Sequence, residues 1–125
     1  MTERLDLPEK HRIKIEALIR EYLPGVEVWA YGSRVNGRSH EGSDLDLILR
    51  GPGLKEIPAG RMASFIEALR ESTLPFLVDA RDWARVPERF RREIEREHIV
   101  LVPIPEAEAA CRRASVIPDI ADTDT

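Results

Sequence analysis

Apolar residues recur at Ile15, Leu18, Ile19 and Tyr22, the i, i+3, i+4, i+7 spacing of one helical face, with Lys14, Glu16, Arg20 and Glu21 between them. The pattern predicts an amphipathic helix over residues 8–23, stopped by Pro24-Gly25. Residues 26–31 (VEVWAY) are β-branched and aromatic and predict a strand. Residues 32–42 are rich in Gly and Ser, hence a loop, with room for one helical turn after Ser33. Residues 44–50 (DLDLILR) alternate and then run apolar, as in a well-buried strand ended by Gly51-Pro52-Gly53. A second helix follows over 58–72, with Met62, Phe65, Ile66 and Leu69 on one stripe. A short strand is expected at 76–80, a third helix at 87–98 with Phe90 and Ile94 inward, and a last strand at 99–102. This order of elements implies an α/β (α+β) domain, a small mixed sheet flanked by helices.

Composition narrows the class. At 125 residues, 42% hydrophobic and 34% charged, the chain suits one globular domain, expected over residues 1–102. Residues 103–125 hold Pro103, Pro105 and Pro118, no aromatics and more acidic than basic side chains, so a mostly disordered acidic tail is expected there, with a short helix over 106–114 expected only against a partner. The formal net charge of -4 argues against direct binding to a nucleic-acid backbone, which requires a basic footprint. No apolar run approaches the roughly 20 residues that span a bilayer, and the first residues lack a signal core. The single cysteine, Cys111, lies in the tail and forms no internal disulfide, so the default location is the cytoplasm.

The chemistry concentrates in residues 31–47, YGSRVNGRSHEGSDLDL. Gly32-Ser33 ends a strand, where backbone amides and a hydroxyl can come close to a phosphate. Asp44 and Asp46 open the next strand, and residues i and i+2 of a strand share a face. Two carboxylates held side by side repel each other unless a hard divalent cation neutralises them. A phosphate cradle beside a two-carboxylate Mg²⁺ site describes a nucleoside triphosphate site, suited to attack on a phosphate. Such a site calls for a third carboxylate. Asp79, on the apolar segment FLVDA, is the candidate; Asp82, next to Trp83, reads instead as the cap of the following turn.

Gly32-Ser33, ten intervening residues and Asp44-x-Asp46 resemble the signature of the minimal nucleotidyltransferases of the DNA polymerase beta-like superfamily. Residues 74–101 are similar to that family's third strand and last helix, with Asp79 at the third catalytic position. The resemblance implies that Gly32 and Ser33 hold the triphosphate of ATP. It implies that Asp44, Asp46 and Asp79 are catalytic and ligate Mg²⁺, two ions in all, with Asp79 helping to activate the acceptor hydroxyl. Arg34 and Arg38 are either counter-charges to the triphosphate or solvated loop residues. Ser43 either bonds the phosphate or orients the loop. His40 is expected to be exposed and inert, and Trp29 and Trp83 to be packing residues. The alternating charges of residues 88–97 predict a solvated, salt-bridged helix face.

About 95 ordered residues make the catalytic half of such an enzyme and leave none for an acceptor-binding domain. The resemblance accordingly implies a separate partner, a HEPN-domain RNase toxin, with this chain as its antitoxin in a hetero-oligomer. AMP transfer from ATP to that partner is the leading expectation. The alternatives are a module that masks a HEPN partner by contact alone, and nucleotidyl transfer to a small molecule such as an aminoglycoside.

Overall fold

The computed structural model describes residues 5–37 and 43–104. The expectations for Arg38, His40, Cys111 and the tail from residue 105, including its short helix, fall outside the described residues. Within them the chain forms α1 (Glu9–Tyr22), β1 (Glu27–Tyr31), a single-turn α2 (Ser33–Asn36), β2 (Leu45–Arg50), α3 (Ala59–Glu71), β3 (Val78–Asp82), α4 (Glu88–Arg96) and β4 (Ile99–Val102). Short 3-10 turns occupy Pro52–Leu54 and Trp83–Arg85.

The four strands form one mixed sheet in the order β3-β2-β1-β4. β1 runs antiparallel to β2 and to β4, whereas β2 and β3 are parallel. A parallel pair requires a crossover, and α3 supplies it. This is the mixed sheet with flanking helices that the element order implies.

Side-chain alternation divides the sheet into two faces. Val28, Ala30, Leu45, Leu47 and Leu49 join Ile15, Ile19, Phe65 and Leu69 in the main core beneath α1 and α3. Trp29, Tyr31 and Ile48 point the other way and meet Trp83 and Ile94, with Phe90 and Val86 packed against them. On that second face Trp29 stacks on His98, ring centroids 3.8 Å apart, and meets Trp83 edge-on. Both tryptophans are therefore packing residues, as expected.

One boundary moved. β3 begins two residues later than the apolar segment suggests, at Val78 rather than Phe76. The Phe76 ring instead sits edge-on to His11 and beneath the Arg34 guanidinium. The strand gains residues at its other end, where ladder pairing continues to Leu49 opposite Asp82.

Candidate active site

The site begins where β1 ends. Gly32 adopts φ 84°, ψ -155°, a backbone region open essentially to glycine alone. A Cβ there would run into the carboxylate of Asp46. Glycine is thus needed twice over, for the turn and for the close approach of backbone to carboxylate. Ser33 then opens α2, and Gly37 in the left-handed region closes it.

The hairpin register sets Asp46 opposite Tyr31, and the parallel register sets Asp79 beside Asp46. Because the two aspartates are register partners, both project from the α4 face of the sheet. Asp44 lies two residues before Asp46, at the exposed mouth of β2. Asp44 and Asp79 together line a cleft of about 470 Å³ with Leu74, Phe76 and Leu77.

Charge crowds here. Burial raises the Asp46 carboxyl above the usual aspartate range, and the neighbouring charges of Asp79 and Asp44 raise it further, while Arg81 opposes them. The Tyr31 hydroxyl is pushed up to about 12, first by burial and then by Asp46. Tyr31 therefore stands neutral beside the carboxylates.

The donors present fit Mg²⁺. They are all hard carboxylate oxygens, and their mutual repulsion is relieved by a divalent cation. Among the described residues, no three of His, Cys, Asp and Glu form a ready-made metal cage. Asp44, Asp46 and Asp79, the three ligands expected from the sequence, therefore do not stand as a preformed metal site.

The remaining sequence candidates behave differently. Arg34 is not a solvated loop residue but is buried at 3% exposure. Its Nε and Nη2 donate to the Ser43 carbonyl at 3.0 and 2.8 Å, and its Nη1 donates to the Asp6 carbonyl at 2.7 Å. The Asp6 amide in turn donates to the Arg34 carbonyl. Arg34 thereby ties the loop entering β2 to the segment before α1, and the Ser43 carbonyl is one end of that tie. Asp82 caps the turn as expected: its Oδ1 accepts from the Ala84 amide at 3.1 Å, and its Oδ2 accepts from the Ile57 amide at 2.8 Å.

Three residues beside the site were not assigned to it from the sequence: Tyr31, Arg81 and Phe90, the last expected only as an inward helix residue, which it is. Tyr31 and Phe90 form an edge-on aromatic pair with centroids 5.7 Å apart. Arg81 pairs with Asp79 at 3.3 Å and lies 5.7 Å from the Phe90 ring centroid. A signal was available for two of them. Arg81 is two residues from Asp79 on one strand, and Tyr31 immediately precedes Gly32.

Comparison with known proteins gives the family and the fold. The family described as "Poly(A) RNA polymerase, mitochondrial-like, central palm domain" matches residues 2–99. The chain is also 35% identical over 100 residues to the "Probable protein adenylyltransferase MntA" of Haemophilus influenzae, covering 78% of this chain and 84% of that relative. The chain belongs to the minimal nucleotidyltransferase family. Two solved structures share the fold of this minimal nucleotidyltransferase at low identity. One, a "toxin-antitoxin with AMP-PNP", aligns at TM-score 0.63 and 18% identity over 88% of this chain and 98% of its own. The other, a "tri-AMPylated Shewanella oneidensis HEPN toxin in complex with MNT antitoxin", aligns at TM-score 0.55 and 14% identity over 90% and 98%. No helix among the described residues of the minimal nucleotidyltransferase is long and apolar enough to cross a membrane.

Proposed function

We propose that this nucleotidyltransferase moves AMP from ATP to a hydroxyl of a protein partner, a HEPN-domain toxin, in a Mg²⁺-dependent reaction, and so acts as its antitoxin in the cytoplasm. The observation that carries the reading is the Asp46–Asp79 register pair set against Gly32, with the charge of Asp44 felt at Asp46. The protein acceptor is supported by the name of the H. influenzae relative, and the partner class by the descriptions of the two structural neighbours.

In this reading Gly32 and Ser33 cradle the triphosphate, with Arg38 and Ser43 adding a cation and a hydroxyl from the loop. Arg34 holds that loop from inside. Asp44 and Asp46 hold the metal, and Asp79 completes the set. Bound Mg²⁺ supplies charge neutralisation at the phosphates. The acceptor oxygen bonds to the α-phosphorus as the α–β phosphoanhydride bond breaks, and pyrophosphate leaves with the electron pair. The hydroxyl proton passes to the Asp79 carboxylate.

The test uses ATP labelled at the α-phosphate, Mg²⁺, the purified chain and a HEPN partner. Label should move to the partner, and Asp44→Asn should lower the rate by about 10²-fold or more, since a ligated metal contributes several kcal/mol to the transition state. Asp44 is exposed, so the variant should keep its fold. Transfer by Asp44→Asn at the wild-type rate would sink the mechanism. Full neutralisation of the toxin by the inactive variant would favour masking by contact.

A further inference from the structure

Arg81 lies on β3 two residues after Asp79, so both side chains stand on the α4 face, beside Asp46. Its Nε donates to Asp79 Oδ2 at 3.3 Å. Its charge also reaches further into the site, since it opposes the upward shifts at both Asp46 and Tyr31. Arg81 is thus a cation of the chain itself bonded to one of the three carboxylates. The three carboxylates meanwhile make no closed cage. The guanidinium also has a second resting place, the Phe90 ring, whose centroid is 5.7 Å away.

We propose that Arg81 is a positioning residue that serves as an internal counter-ion for Asp79, keeping the third carboxylate out of the metal site until nucleotide arrives. A triphosphate carries several negative charges and competes for the guanidinium more strongly than one half-exposed carboxylate does. Arg81 then turns to the phosphates with its stem still against Phe90, and Asp79 is released to the metal. The consequence is ordered loading. Metal and nucleotide assemble together, and the empty enzyme does not sequester free divalent cation. This inference rests on the adenylyltransferase reading above.

The test is Mn²⁺ binding, followed by the loss of its free electron paramagnetic signal. It is run on full-length wild type, Arg81→Gln, Arg81→Ala and Asp79→Asn, with and without AMP-PNP. Without nucleotide, both Arg81 variants should bind Mn²⁺ about two- to five-fold more tightly than wild type, the scale of an exposed ion pair. Adding Asp79→Asn to either should erase that gain. With AMP-PNP the gain should vanish or reverse. Arg81 is half exposed, so both truncations should fold, as circular dichroism would verify. Arg81 variants that bind free Mn²⁺ no more tightly than wild type would overturn the proposal. Wild type whose Mn²⁺–AMP-PNP binding is untouched by Asp46→Asn would instead overturn the function from which it starts.

Discussion

Asp46 shows how a single side chain carries a stability cost for the sake of a site. Its folded carboxyl titrates above the unfolded value because of burial and two like-charged neighbours. Where the folded group holds its proton more readily than the unfolded one, stability falls as pH rises, because the native state must charge an unwelcome carboxylate. The cost is fully present at neutral pH. It is relieved as pH falls through the raised folded value toward the ordinary aspartate range near about 3.9. In EDTA, Asp46→Asn should therefore be more stable than wild type in urea denaturation at pH 7, and the gap should close on acidification. A variant that is less stable at pH 7, or a gap indifferent to pH, would contradict this account. Asp82 shows the opposite economy: a more deeply buried carboxylate that receives two backbone amides and holds a turn instead of a ligand.

At the scale of elements, the connection from α2 to β2 depends on one buried arginine. Arg34 bonds two carbonyls from segments on either side of it and lies 4.3 Å above the Phe76 ring. Hydrogen bonds to charged groups are worth about 1.5–3 kcal/mol each when a partner is left buried and unsatisfied. Arg34→Ala should destabilise the domain by about 2–4 kcal/mol, and Arg34→Lys should recover little, because an ammonium cannot span both carbonyls while stacking on the ring. Thermal unfolding of the two variants would check this, and a lysine variant as stable as wild type would refute it.

The same arginine marks where sequence reading reached its limit. The Gly32-Ser33 and Asp44-x-Asp46 spacing was legible because strand parity and glycine's special backbone are local properties. The helical stripes and strand patterns were legible for the same reason, and α1, β1, β2 and β4 lie within a residue or so of expectation. The burial of Arg34 was not legible, for one partner is the Asp6 carbonyl 28 residues away and the other the Ser43 carbonyl across an irregular loop, and neither follows a helix or strand period. Nor did the sequence reveal that Phe76 would leave the strand to lie under that guanidinium. Arg81 was missed because the strand was expected to end at Ala80, although its spacing from Asp79 was there to read.

For the whole molecule, the crowded carboxylates predict that metal and nucleotide stabilise the fold only together. A ligand that binds the native state alone adds about 2.7 kcal/mol at a hundred times its Kd. For a domain of this size that raises the melting temperature by roughly 10 °C or more, at 4–8 °C per kcal/mol. ATP with Mg²⁺ should produce a shift of that order in differential scanning fluorimetry, whereas ATP with EDTA should not. An equal shift in EDTA would mean that the nucleotide binds without help from the three aspartates.

The strand pairings also set when the site comes into being. Asp46 and Gly32 meet through a local antiparallel hairpin, a contact of low sequence separation that closes quickly. Asp79 reaches Asp46 only through the parallel pairing of β2 with β3, after a loop containing all of α3 has closed. Loop-closure entropy makes that step the slower one. A chain emerging during synthesis therefore displays its recognisable signature well before it can act. The Asp46–Asp79 pair thus forms only once α3 is in place, later than the turn that sets Gly32 against Asp46.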